Sequence, residues 1–168
     1  IVKVIADDLQ KTPRDAVLRF KSLGSGSAGN ATVIEAGSGL HVRRLLVDCG
    51  LRITDLLHRM GLAGLEPGQI DAVFITHEHS DHIGSARQFC KRFKTPVWMS
   101  LGSFQAIGEP DFEGGDYCQA KDGVPIDLGE LQIQPVHRGQ RLAHQGFGLD
   151  IAPRRGGFKA QPGLTVRS

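Results

Sequence analysis

The stretch His77-Glu78-His79-Ser80-Asp81-His82 places three histidines and an aspartate, all potential metal ligands, within six residues. It directly follows the apolar and β-branched run Ala72-Val73-Phe74-Ile75-Thr76, which predicts a short buried strand. After it, residues 83–93 carry apolar side chains at helical spacing, which predicts a helix. The ligand cluster is therefore predicted to lie on a tight turn that joins a strand to a helix.

The spacing within the motif predicts two neighbouring metal sites. His77 and His79 are two residues apart and can point the same way from an extended backbone, whereas the adjacent Asp81 and His82 diverge. This geometry favours one metal on the His pair and a second on the Asp-His pair. Imidazole and carboxylate ligands favour zinc, and iron or manganese fit where oxygen ligands dominate. The alternative is a polar turn whose histidines only form hydrogen bonds, which suits a lone histidine better. Glu78 is predicted to point away from the metals.

A second motif lies in the glycine-rich loop Gly24-Ser25-Gly26-Ser27-Ala28-Gly29, which matches the dinucleotide-binding pattern G-x-G-x-x-G. Asp48 also lies at about the distance expected for a ribose-binding acid. A dinucleotide site, however, requires a helix that begins inside the loop, because the helix N-terminus holds the pyrophosphate. Residues 31–35 instead form a strand-sized run. The loop is therefore predicted to turn a hairpin near the mouth of the site, without a nicotinamide or flavin cofactor.

Together, three segments give the chain a resemblance to a known family. They are Ser22–Asn30, the run Leu45-Leu46-Val47-Asp48-Cys49-Gly50, and Thr76–His82. The chain resembles the metallo-β-lactamase-fold metallohydrolases and, among them, the YycJ-like bacterial branch, whose members look nuclease-related. The resemblance runs from about Leu18 to Asp150. It implies an α+β fold, a metallo-β-lactamase-like αββα sandwich. The order of predicted elements also fits an α+β sandwich better than an alternating doubly wound sheet.

The resemblance also implies a further histidine ligand far along the chain. His137, at the end of a predicted strand, is the best candidate for the third ligand of the first metal. The family often has Pro-His-Asp there, whereas this chain has Pro135-Val136-His137-Arg138, so an ordinary surface histidine is the alternative. Asp48 is predicted either to hold a ligand imidazole or to act as a turn residue that ends its strand. The remaining histidines stand in no matching context: His41, His58 and His144.

Two zinc ions at such a site, with Mn²⁺ or Fe²⁺ as alternatives, predict a hydrolase. Metals about 3.5–4 Å apart convert a bridging water to hydroxide near neutral pH, and this metal-bound hydroxide attacks a phosphoryl or acyl centre. Asp81 is the candidate catalytic residue, because it can orient the hydroxide while it ligates the second metal. The predicted function is hydrolysis of phosphodiesters, with a nucleic acid as substrate. Two alternatives stay open, an incomplete metal-binding domain with little or no activity and a thioester or acyl hydrolase.

Composition narrows the class of protein further. The 168 residues suit a single domain with its own core, and neither a transmembrane stretch nor a signal peptide is apparent. The three cysteines (Cys49, Cys90 and Cys118) are widely spaced and odd in number, which argues against a disulfide framework and favours a reducing cytoplasm. Cys49 is interpreted as a buried thiol rather than a ligand. A net charge of +2 is too small to indicate a nucleic-acid partner by itself.

The predicted metallo-β-lactamase-like domain covers residues 17–151. Residues 1–16 are an unassigned N-terminal extension, and residues 152–168 are predicted to be a disordered basic tail. The family usually supplies a bridging aspartate and a last histidine in its C-terminal half, whereas Asp150 and His144 stand in no matching motif. The second half of the sandwich is therefore expected to be incomplete. A truncated fragment, or a coding sequence that leaves its frame near Arg138, would account for this and would weaken the second metal site.

Overall fold

The computed structural model describes residues 2–3, 16–38, 41–137, 147–153 and 164–166. Within them the helices are α1 (Ile53–Leu62), α2 (Ser80–Ile83), α3 (Ala86–Phe93) and α4 (Leu101–Ala106), with a 3₁₀ turn at Pro67–Gln69. The strands are β1 (Val2–Lys3), β2 (Ala16–Gly24), β3 (Ala31–Ser38), β4 (His41–Val47), β5 (Ala72–Phe74), β6 (Val97–Ser100), β7 (Tyr117–Ala120), β8 (Ile126–Asp127), β9 (Leu131–His137), β10 (Phe147–Pro153) and β11 (Leu164–Val166).

These strands form two sheets. The larger sheet has the order β2-β3-β4-β5-β6-β7. Its first three strands pair antiparallel, and the pairs from β4 to β7 are parallel. The smaller sheet has the order β1-β11-β10-β9-β8 and is antiparallel throughout. Because parallel neighbours run in the same direction, the carboxyl ends of β4 and β5 meet at one edge of the larger sheet.

Strand alternation divides the core into two layers. Adjacent side chains of a strand point to opposite faces, so each central strand of the larger sheet contributes to both layers. One layer lies between this sheet and the helices and includes Val33, Leu46, Val73, Leu56, Met60 and Phe89. The other lies between the two sheets and includes Ile34, Leu45, Phe74, Leu131, Ile133 and Leu149. The predicted α+β sandwich is therefore confirmed, and the described part of the chain forms its helix, sheet and sheet layers.

The structure also corrects one local expectation. The helix predicted over residues 83–93 begins at Ala86, because α2 ends at Ile83 and a turn at Gly84 and Ser85 separates the two helices. Within residues 152–168, the structure describes the end of β10 and all of β11, and β11 pairs with β10 and β1. Residues 154–163 and 167–168 lie outside the described residues. The predicted domain limits stay predictions. No helix among the described residues is long and apolar enough to span a membrane.

Candidate metal centre

The His-rich motif lies where the larger sheet meets its helices. β5 ends at Phe74, and α2 begins at Ser80 with His79 at its N-cap position. The predicted turn between a strand and a helix is therefore confirmed. Since β4 and β5 are parallel neighbours, Asp48 at the end of β4 reaches the same edge as the motif.

The imidazole rings of the motif form one cluster. The ring centroid of His77 lies 4.8 Å from that of His79 and 3.7 Å from that of His82. His82 is buried, His77 and Asp81 are half-buried, and His79 is exposed. The Oδ2 atom of Asp81 lies 3.4 Å from the Nε2 atom of His82. The four residues of the motif that were predicted as ligands are therefore neighbours, and the exposed His79 lies on the solvent side of the cluster.

Asp48 accepts hydrogen bonds from residues of this cluster. It is buried, and its backbone φ of 59° lies in the left-handed region, where aspartate is better tolerated than most residues. Its carboxylate accepts hydrogen bonds from the backbone N–H of Thr76 at 2.8 Å and from the Thr76 hydroxyl at 2.9 Å. It also accepts one from Nδ1 of His82 at 2.7 Å. Of the two roles predicted for Asp48, the structure shows the contact with an imidazole.

The contacts of Asp48 and Thr76 select the tautomers of two histidines. Nδ1 of neutral His82 carries the proton that it donates to Asp48, so its Nε2 keeps a lone pair. The Thr76 hydroxyl donates to Asp48 and can therefore accept from Nδ1 of His77, which lies 3.0 Å away. Both histidines thus direct an unprotonated Nε2 away from the aspartate. This is the arrangement that metal-binding histidines use, because a hydrogen bond at one ring nitrogen fixes the other as a ligand.

The two imidazoles differ in their electrostatic environments. Burial lowers the pKa of His77, and the neighbouring His82 lowers it further. Burial alone would also lower the pKa of His82, but the hydrogen bond and the charge of Asp48, together with the charge of Asp81, raise it overall. His77 is therefore the readier of the two to lose its proton and to serve as a neutral ligand.

The glycine-rich loop connects β2 to β3 and closes over the motif. The predicted hairpin is confirmed, because the strand β3 follows the loop and pairs antiparallel with β2. Asn30, the last residue of the loop, donates its backbone N–H to the carbonyl of Asp81 at 2.7 Å. Its side-chain amide lies 3.1 Å from both Asp81 Oδ2 and His82 Nε2. Asn30 and Thr76 are site residues that the sequence interpretation missed.

Main-chain contacts fix the position of the motif relative to the loop after β4. The backbone N–H of Cys49 donates to the carbonyl of His82 at 2.6 Å, and that of Gly50 donates to Asn30 at 2.9 Å. A Cβ at Gly50 would overlap the backbone carbonyl of Asp81, so only glycine fits there. Cys49 is fully buried, with its Sγ 3.3 Å from the Ser85 hydroxyl, and burial raises its thiol pKa to about 12. This environment agrees with a buried thiol.

The backbone of His137, the predicted distant ligand, lies at the same end of the sandwich. His137 ends β9 and pairs with Phe147 of β10. The backbone N–H of Phe147 in turn donates to the carbonyl of Thr76 at 2.9 Å, next to the motif. The side chain of His137 and the whole of His144 lie outside the described residues. The assignment of His137 as a ligand therefore stays a prediction.

The donor set fits a divalent metal. Two ligand atoms bound at about 2.1 Å to a tetrahedral zinc lie roughly 3.4 Å apart. The Oδ2 atom of Asp81 and the Nε2 atom of His82 show this separation, 3.4 Å. Among the residues whose side chains are described, no three His, Cys, Asp or Glu side chains converge on one point. A metal held by these residues would therefore need ligands in addition to Asp81 and His82.

This fold and these motifs define a class of metal-dependent proteins. Residues 24–150 match the metallo-beta-lactamase superfamily. The match covers most of the chain, which therefore belongs to this superfamily, and the superfamily's fold implies divalent metal binding. Among solved structures, the metallo-beta-lactamase fold protein YhfI of Bacillus subtilis superposes with a TM-score of 0.63 at 18% identity, over 83% of this chain and 58% of YhfI. This likeness agrees with the sandwich described above.

Two curated relatives show which members of the superfamily the chain resembles. It is 33% identical over 92 residues to the exodeoxyribonuclease YycJ of Bacillus anthracis, a match that covers 54% of this chain and 33% of YycJ. It is 37% identical over 126 residues to the anti-Pycsar protein Apyc1 of a Paenibacillus species, covering 68% of this chain and 47% of Apyc1. The predicted resemblance to the YycJ-like branch is confirmed. The chain spans about a third to a half of the length of these relatives.

Proposed function

We propose that this chain is a metal-dependent hydrolase that cleaves phosphodiesters of nucleic acid in the cytoplasm. The observation that carries the proposal is the hydrogen-bonded set of Asp48, Thr76, His77 and His82, which presents two unprotonated imidazole nitrogens beside the Asp81 carboxylate. Arrangements of this kind orient metal ligands in hydrolytic sites. The exodeoxyribonuclease named among the relatives supports nucleic acid as the substrate class.

We assign His77, His79 and His137 to a first metal and Asp81 and His82 to a second, with zinc as the metal and manganese or iron as alternatives. Metal ions held there would supply the activation of an attacking water and the stabilisation of the charge that develops on the phosphate. Asp48 and Thr76 hold the imidazoles in the ligating tautomer. Asp81, half-buried at the edge of the cluster, orients the attacking water.

The experiment combines metal content with cleavage by the chain as it stands. Wild-type protein, a His77→Ala/His79→Ala variant and a His58→Ala control are loaded with zinc or manganese and measured by elemental analysis. His58 is exposed on α1 and lies outside the cluster, so the His58→Ala variant should contain as much metal as the wild type. Each protein is then given DNA with free ends, a model phosphodiester and a thioester. We expect the double variant to lose bound metal and the wild type to cleave only the two phosphodiesters.

Two results would contradict the proposal in different ways. Equal metal content in the double variant and the wild type would refute the ligand assignment. Metal-dependent cleavage of the thioester, with neither phosphodiester cleaved, would refute the substrate class and favour the acyl hydrolase. Within a working phosphodiesterase, Asp81→Asn should reduce kcat by two orders of magnitude or more, which corresponds to roughly 3 kcal/mol of transition-state stabilisation.

A further inference from the structure

The side-chain amide of Asn30 occupies a particular place in the cluster. Its Nδ2 atom lies 3.1 Å from Asp81 Oδ2 and 3.1 Å from His82 Nε2, the two atoms assigned above to the second metal. It also lies 3.1 Å from the backbone carbonyl of Asp81. The other end of the amide is fixed, because Asn30 Oδ1 accepts the backbone N–H of Gly26 at 3.0 Å. The amide is thus held by its own loop and directed at both side chains.

The backbone strengthens this attachment. Asn30 donates its main-chain N–H to the Asp81 carbonyl at 2.7 Å, and its own carbonyl accepts from Gly50 at 2.9 Å. A Cβ at Gly29 would approach the backbone nitrogen of Leu51 to 2.6 Å, so the end of the loop is packed tightly on the segment after β4. The position of the amide is therefore determined by the fold rather than by a free side-chain rotation.

The two side-chain contacts of Asn30 Nδ2, with His82 and with Asp81, respond differently to a bound metal. Nε2 of His82 has a single lone pair, so an N–H donor and a metal cannot use it together. A carboxylate oxygen has two lone pairs and can bind a metal while it still accepts a hydrogen bond. Asn30 can therefore keep its bond to Asp81 when His82 turns its lone pair to a metal. In a variant without the amide, water can hydrogen-bond to Nε2 of His82 instead, so removal of the amide does not by itself make that lone pair more available to a metal.

We propose that Asn30 is a positioning residue for the second metal site: it holds the Asp81 carboxylate in the ligating orientation and releases only His82 when the metal binds. This inference rests on the proposed function, because it takes Asp81 and His82 as the ligands. It also gives the glycine-rich loop a role, since that loop places the amide. Substitution of residues that orient metal ligands typically lowers metal affinity 10- to 100-fold.

A cobalt titration tests this role without any assay of activity. The visible absorption of bound Co²⁺ follows the first and second equivalents in wild type, Asn30→Ala, Asp81→Ala and the Asn30→Ala/Asp81→Ala double variant. Gln88→Ala, which removes an exposed amide from α3, is the matched control. We expect Asn30→Ala to weaken the second equivalent about 10- to 100-fold and to leave the first unchanged. Because Asn30 acts through Asp81, the double variant should bind no more weakly than Asp81→Ala alone.

Thermal unfolding with a chelator present separates folding from metal binding in each variant. If Asn30→Ala does not fold, Asn30→Ser replaces it, because the shorter hydroxyl cannot reach both Gly26 and Asp81. An unchanged second equivalent in the substituted protein overturns the inference, and so does a loss of equal size with and without Asp81. If Asp81→Ala still binds the second equivalent as the wild type does, the ligand assignment fails, and this inference fails with it.

Discussion

Asp48→Asn should weaken metal binding at His82 much more than it destabilises the fold. Asparagine matches aspartate in size and tolerates the left-handed backbone at this position, where φ is 59°. One oxygen remains to accept the backbone N–H of Thr76. The new NH₂ group, however, faces Nδ1 of His82 at 2.7 Å, where the wild type has an acceptor. His82 must then accept at Nδ1 and carry its proton on Nε2, which removes the lone pair that a metal needs.

The expected losses of stability and of metal affinity follow from this change of hydrogen bond. The replacement of a charge-assisted hydrogen bond by a neutral one costs about 1–2 kcal/mol of stability. The wrong tautomer should lower metal affinity about 10- to 100-fold. Zinc titration by calorimetry and urea unfolding of the metal-free protein measure the two effects separately. Asp71→Asn, which changes a half-buried carboxylate bonded to Arg43 and Arg44, is the control. Zinc affinity equal to that of the wild type in Asp48→Asn would refute the tautomer argument.

Three further outcomes are expected. Gly50→Ala should lower the free energy of unfolding by about 1–3 kcal/mol, because its Cβ overlaps the Asp81 carbonyl. The control Gly61→Ala on helix α1 should be neutral or stabilising in the same urea unfolding experiment. Equal effects of the two substitutions would count against the close packing at Gly50. Burial alone would raise the pKa of Glu35, but Arg44 and Lys21 lower it overall. The stabilisation from these ion pairs is complete above the unfolded pKa of about 4.3, and it is lost as the pH falls through the lower folded pKa. Glu35→Gln should therefore flatten the stability profile at acidic pH, and an unaltered profile would exclude Glu35 as its source. In the native protein an alkylating reagent should modify the half-buried Cys118 before the buried Cys49 and Cys90. Mass spectrometry follows the order, and simultaneous modification of the three thiols would contradict it.

The sequence could predict the parts of the site that depend on local patterns. The apolar run before His77 and the helical spacing after the motif are properties of neighbouring residues, so the strand, the turn and a following helix could be predicted. The hairpin at the glycine-rich loop could be predicted for the same reason, because a strand-sized run follows it. The family resemblance added the larger architecture.

The contacts that complete the site could not be predicted, because they join residues far apart in the chain. Asn30 and Asp81 are separated by 51 positions, and Thr76 and Asp48 by 28. Asn30 and Thr76 both lie in segments that carry the family resemblance, but an amide directly before a strand and a hydroxyl directly before a histidine are common in ordinary turns. The pairing of β11 with β1 and β10 was missed because strands this short carry too few residues for a recognisable alternation.

The hydrogen bond between Phe147 and the Thr76 carbonyl has a consequence for the stability of the whole sandwich. It joins the two sheets beside the motif, and the proposed ligands come from both, with His137 on the smaller sheet and His77 on the larger. A metal shared between them would link the sheets directly, so its binding energy would add to the energy of sheet packing. The reverse also holds. A substitution in the layer between the sheets, such as Leu149→Ala, should weaken metal binding although Leu149 is no ligand, and zinc affinity would then report how firmly the two halves of the sandwich are held together.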